Sequence, residues 1–234
     1  MRPLTALEML EVWERASTTG TTRRALALLR AACPEARAEE LAALCVGERD
    51  ARLLTLREWF FGSHLDVRTE CPSCGERVQA SFELDNVRTR AADGLTSRVV
   101  LEDHETAFRL PDSTDLAAIE SCQDAASARR LLLERCVLTE AQNLNEQAVA
   151  EIVKRMNALD PQASIRLAMG CPACQNRWSA LFDIATFFWQ EIHVWARRML
   201  REVHTLASAY GWSERDILSM SAARRSMYLD LVAS

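Results

Sequence analysis

One internal repeat constrains this 234-residue chain more than any other feature. Shifted by 100 residues, VRTECPSCGERVQASFEL at 67–84 lies over LAMGCPACQNRWSALFDI at 167–184 without a gap. Both cysteines, the proline, Arg77/Arg177, Ala80/Ala180 and Phe82/Phe182 are identical, while Leu84/Ile184 and Glu83/Asp183 are chemically similar. Each motif has strand-like stretches on both sides, His64 to Glu70 and Arg77 to Leu84 for the first, Ile165 to Met169 and Arg177 to Phe182 for the second. The repeat predicts two β-hairpins with a Cys-Pro-x-Cys knuckle at each tip.

Two Cys-x-x-Cys knuckles supply four thiolates, Cys71, Cys74, Cys171 and Cys174, the number that closes a tetrahedral structural site around one Zn²⁺. A two-residue gap lets both sulfurs of a knuckle reach one ion from a tight turn. Gly75 can take the left-handed conformation there; Gln175 holds that place in the second copy, with Asn176 beside it. Other chemistries use the same residues. Iron accepts four thiolates too, and Cys-Pro-x-Cys is similar to a glutaredoxin active site, although that motif opens a helix and here a strand follows each copy. Separate disulfides or free thiols are a third reading. One zinc held by four thiolates adds about −2 to the formal charge of −5. Arg77 and Arg177, three residues past each knuckle, either offset that charge from behind the ligands or are solvated hairpin arginines. Cys33, Cys45, Cys122 and Cys136 stand singly in helical apolar patterns and read as core thiols.

Between Cys74 and Cys171 lie 96 residues, far more than a compact ribbon uses, so the intervening segment is expected to be a helical insertion. Apolar spacing predicts helices over 4–16, 21–32, about 35–46 with Gly47 as stop, and 53–60 closed by Gly62. Arg98–Leu101 with Thr106–Leu110 reads as a small hairpin, followed by helices over 114–122, 125–137 and 146–159 and a polar connection over 139–145. The longest helix is expected over Ile184–Tyr210, about 40 Å at 1.5 Å per residue. Gly211 stops it, Ser213 and Asp216 resemble a capping box for a helix to Met220, and a last helix covers 222–232. The fold class expected is α+β, mainly α-helical, with two zinc-knuckle hairpins forming one zinc-ribbon-like centre. The long C-terminal helix is followed by two short ones. Its divisions are an N-terminal helical region (1–62), the first knuckle hairpin (63–87), an inserted hairpin and helices (88–160), the second knuckle hairpin (161–183) and a C-terminal helical part (184–234).

Glu8, Glu11 and Glu14 interrupt the first apolar stretch, which does not read as a signal peptide. The stretch from Trp178 to Leu200 carries Asp183, Glu191, His193, Arg197 and Arg198 and does not read as a membrane span. The expected compartment is the bacterial cytoplasm, where cysteines serve as metal ligands or core thiols more often than as disulfides.

The chain reads as no enzyme. It lacks a Gly-x-Ser-x-Gly elbow and a glycine-rich dinucleotide loop, and its only lysine, Lys154, lies outside any phosphate-binding loop. His104-Glu105 starts like a zinc-protease helix, but Phe108 stands where the second histidine belongs. His64, His104, His193 and His204 are scattered, and four cysteines leave a zinc no open position. No small-molecule substrate is implied. Four arginine pairs and a helix–turn–helix rhythm near the C-terminus keep a zinc-ribbon DNA-binding regulator as the alternative, opposed by the acidic net charge and by Glu202, Glu214, Asp216 and Asp230. Trp195 and Met199 on the long helix, with Trp212, Arg224 and Arg225 beyond it, are the expected partner-binding residues, Trp and Arg being typical of interface hot spots.

The segment from Cys171 to Val232 resembles the C-terminal part of the T4-family baseplate hub-assembly chaperones of phage-type contractile tails. The resemblance rests on Ala209-Tyr210-Gly211-Trp212-Ser213-Glu214, Asp216-Ile217-Leu218 and Arg224-Arg225. It is strongest over about 160–232 and continues through Glu48-Arg49-Asp50, CPSCGE, and Arg109-Leu110-Pro111 with Asp115-Leu116, leaving 1–35 outside. It implies a structural or assembly protein with baseplate, hub or spike partners in a contractile tail or contractile injection system, found in the cytoplasm or in a phage-like particle.

Overall fold

The computed structural model describes residues 1–89, 96–101, 104–138 and 145–233. Four helices build its main core. Helix α1 (Ala6–Ala16) starts in a capping box, the Thr5 hydroxyl accepting the Glu8 N–H while the Glu8 carboxylate accepts the Thr5 N–H. Helix α2 (Thr21–Ala32) ends at Cys33-Pro34, α4 (Val46–Phe61) ends at Gly62 with φ of 89°, and α8 (Ile184–Tyr210) ends at Gly211 with φ of 69°. The inward stripe of α8 buries Phe188, Ile192, Trp195, Met199 and Leu206, and burial is worth about 1.5–3 kcal/mol for each large apolar side chain. Phe60 meets Trp195 edge-on at 4.9 Å and Phe61 meets Phe188 at 6.0 Å between ring centres. A buried guanidinium, Arg57, grips Glu191 with two bonds of 2.7 and 3.0 Å and so ties α4 to α8.

The expected helix over 35–46 forms only as α3 (Ala38–Ala42), and Gly47 is no stop. It lies in the first turn of α4, where its N–H donates to the Asp160 carboxylate at 2.8 Å, and a Cβ at Gly47 would overlap that carboxylate. A cap supplied from 113 positions away leaves no local signal.

Among the described residues, three two-stranded antiparallel sheets follow. Strands β1 (His64–Glu70) and β2 (Arg77–Glu83) form the first knuckle hairpin, and β5 (Arg166–Gly170) and β6 (Arg177–Leu181) the second. Their registers are equivalent under the 100-residue shift: Glu70 faces Arg77 as Gly170 faces Arg177, and Val67 faces Ala80 as Leu167 faces Ala180. Leu65, Val78, Leu167 and Met169 point into the same core as α1, α2, α4 and α8, so alternation decides which face each hairpin presents inward.

The residues between the hairpins carry the third sheet, β3 (Thr96–Leu101) with β4 (His104–Arg109), and helices α5 (Ser113–Ile119), α6 (Ala125–Cys136) and α7 (Glu146–Leu159). Phe108, Val137 and Ile152 form a separate small cluster with Leu133, Met156 and Leu159 against it. His104 therefore opens a strand rather than the helix a zinc protease needs, and helix α5 stops three residues short of Cys122. Of the polar connection expected over 139–145, all but Asn145 lies outside the described residues. Helices α9 (Glu214–Ser219) and α10 (Ala222–Ala233) close the chain against α8.

Candidate metal centre

Each knuckle is a turn closed by its own backbone. In the first, the Cys71 N–H donates to the Glu76 carbonyl at 2.8 Å and the Gly75 N–H to the Cys71 carbonyl at 2.9 Å. In the second, Cys171 and Gln175 make the same two bonds, to Asn176 and Cys171, at 2.9 Å each. Gly75 has φ of 74° and Gln175 φ of 59°, so the second turn keeps the left-handed conformation without glycine. Asn176 contributes through its carbonyl.

The symmetry places the four sulfurs together, all within 4.8 Å of one another. The close pairs run between hairpins, Cys71 to Cys174 and Cys74 to Cys171, both at 3.6 Å. A tetrahedral ion with metal–sulfur bonds of about 2.3 Å separates its sulfurs by about 3.8 Å. The four cysteines can therefore hold a metal ion with little adjustment. Cys71 and Cys171 are buried while Cys74 and Cys174 face solvent.

Without a cation the cluster cannot ionise evenly. Burial opposes the Cys71 thiolate, but the N–H groups of Cys74 and Ser73 and the Cys174 thiol turn towards it and bring it down to about 6. The Glu76 N–H favours a thiolate at Cys74, yet the sulfur of Cys174, burial and the sulfurs of Cys171 and Cys71 push it up to about 12. A divalent ion removes that conflict, because it favours all four thiolates at once.

Arg77 and Arg177 are both exposed, and among the described residues neither side chain makes an ion pair or hydrogen bond. Cys33, Cys45 and Cys136 are buried and Cys122 is half-buried. Among the described residues the four knuckle cysteines are the one group of His, Cys, Asp and Glu close enough to share a metal. His64 pairs with Glu83 at 3.1 Å, and His193 accepts the Trp13 indole N–H at 3.2 Å.

The expected partner-binding residues separate. Trp195 and Met199 lie in the core of this chain, 8% and 1% exposed, because they fall on the α8 stripe that packs against the other helices. They cannot face a partner. Arg225 is also buried, donating to Glu202 at 3.3 Å and to the Met220 carbonyl at 2.6 Å. Trp212 is half-buried and stacks on Tyr210 at 4.4 Å, with Tyr228 edge-on at 4.8 Å. Arg224 is exposed and lies over Tyr228. Sequence reasoning missed Tyr228, which reaches Trp212 and Tyr210 only through the packing of α10 on α8. In each of the four arginine pairs the second member is engaged within the chain. Arg24 holds the Ser17 carbonyl, Arg130 lies near Glu134, and Arg198 and Arg225 share Glu202. Of these, Arg198 and Arg225 share one carboxylate that offsets part of their charge towards phosphates.

The family model described as T4 bacteriophage base plate protein matches residues 4–189. The chain belongs to this family. The match takes in α1 to α7, both knuckles and the first turns of α8, so it begins well before the region expected from the resemblance and stops short of α9 and α10. No curated protein matches, and no solved structure matches. As a phage base plate protein the chain works in contact with other base plate components. None of its described helices is long and apolar enough to cross a membrane.

Proposed function

We propose that this base plate protein is a non-enzymatic assembly or structural protein of the baseplate hub of a contractile tail, in a phage or a contractile injection system. One structural Zn²⁺ pins its two hairpins together. The observation that carries the reading is the meeting of four cysteine sulfurs from two hairpins 100 residues apart, within a chain of a structural tail family. Cys71, Cys74, Cys171 and Cys174 would hold the ion, which supplies a cross-link and no open coordination position. Arg77 and Arg177 lie close enough in sequence to moderate the charge of a tetrathiolate site. The divisions at 62, 87, 160 and 183 follow, with the helical insertion looped out between the metal-joined hairpins. Hub or spike subunits are the proposed partners. The exposed Arg224 and the Trp212 stack present the aromatic and cationic chemistry such contacts use. The protein would act in the bacterial cytoplasm during assembly or remain in the particle.

Replacing Cys71 by serine tests this directly. The expected outcome is loss of about one zinc per chain, measured by elemental analysis, together with loss of incorporation into base plates. A Cys71→Ser protein that binds no zinc and still assembles normally overturns the role given to the metal.

A further inference from the structure

The face of α8 that points away from the core carries one sign of charge. Val194, Arg197, Arg201 and His204 recur at spacings of three, four and three, which places them on one side of the helix with Leu200 beside them. All five are exposed, Val194 at 69% and Leu200 at 37%. The helix has two acids, and both are occupied: Glu191 by Arg57, Glu202 by Arg198 and Arg225. Arg197 and Arg201 have no ion pair among the described residues. A chain of net charge −5 thus presents an acid-free cationic stripe about 15 Å long with two apolar side chains set into it.

We propose that this stripe docks an apolar surface edged with Asp and Glu on another protein of the base plate. The proposal rests on the assembly role above and deepens it by naming the partner's chemistry. Two guanidiniums without an ion pair suit a pair of carboxylates, and Val194 and Leu200, one on either side of Arg197, set apolar contact beside them. The same two charges neutralise only about two phosphates, too few to hold duplex DNA against the acidity of the whole chain.

The test places a photo-crosslinking amino acid at Val194 of the full chain, produced with the other tail proteins of its particle. The expected result is an adduct with one tail protein, at a segment where carboxylates flank apolar residues. In an Arg197→Glu/Arg201→Glu chain the adduct yield should fall about tenfold or more, while circular dichroism and metal content stay unchanged. An adduct that persists in the charge-reversed chain overturns the proposal. So does its absence from base plates that contain the protein, or retention of mixed-sequence duplex DNA that the double substitution abolishes. Absence of the chain from every tail assembly intermediate sinks the assembly role itself, and this docking surface with it.

Discussion

Asp115, one of the residues that carry the family resemblance, holds the fold together. Its carboxylate is fully buried and takes two bonds from Arg109 at 2.6 and 2.8 Å, one from Arg135 at 2.7 Å and one from the Asp112 N–H at 3.0 Å. Burial alone would raise its pKa, and these donors outweigh burial and lower it to about 2. Replacing Asp115 by asparagine removes the charge that both guanidiniums share, and the expected loss is about 3 kcal/mol at neutral pH. Since the folded value lies below the ordinary 3.8, the stabilisation is present above about pH 4 and fades as pH falls towards 2. Urea unfolding of both proteins should therefore show a gap that is widest at pH 7 and narrows across that window. A gap constant with pH would mean that packing, not charge, is at work. Arg49-Asp50 is likewise a buried pair, at 2.7 Å. The short motifs behind the family resemblance contain both members of Arg49–Asp50 and Arg109–Asp115, and only Arg135, twenty residues on, lies outside them.

At the scale of elements, the hairpins and most helices were legible because their signals are local. α2, α7 and α8 have the limits that periodicity and stop residues predict. The start of α4 was not legible, because Gly47 is a common helix stop and nothing nearby announces the Asp160 cap. The stripe of α8 was read correctly as a stripe, but a periodic apolar face does not say whether its own chain or another covers it. Trp195 and Met199 were misplaced for that reason. The two knuckles offer a paired test of backbone strain. A Cβ at Gly75 would meet nothing within 4 Å, so Gly75→Ala should cost only its left-handed conformation, about 1 kcal/mol. Gln175 already carries that strain, and Gln175→Gly is expected to stabilise by about 0.5 kcal/mol. Thermal unfolding of the metal-loaded proteins should shift in opposite directions. Equal shifts would show that the two turns are not equivalent.

For the molecule as a whole, the two hairpins meet the rest of the chain at the apolar core and each other at the four-cysteine cluster. The core reaches both hairpins through Leu65, Val78, Leu167 and Met169, while the knuckle tips meet through their sulfurs. Helices α1, α2, α4 and α8 pack on one another without the knuckles, joined by Phe60–Trp195 and Arg57–Glu191 contacts. Stripping the proposed Zn²⁺ with a chelator is therefore expected to free the tips and spare the helices. Far-UV circular dichroism should keep its helical signal, while amide exchange rises around 71–77 and 171–177 and stays slow along the buried face of α8. The apparent midpoint of unfolding should fall on stripping and recover with added Zn²⁺, rising with its concentration, because an ion that binds only the folded chain stabilises by mass action. Collapse of the helical signal on chelation would instead make the ion a condition of folding for the entire chain, as in small zinc domains that lack a core. The size of the core shared by four helices and two hairpins argues against that outcome, and it is why the cysteines are best understood as a clasp on a fold that already stands.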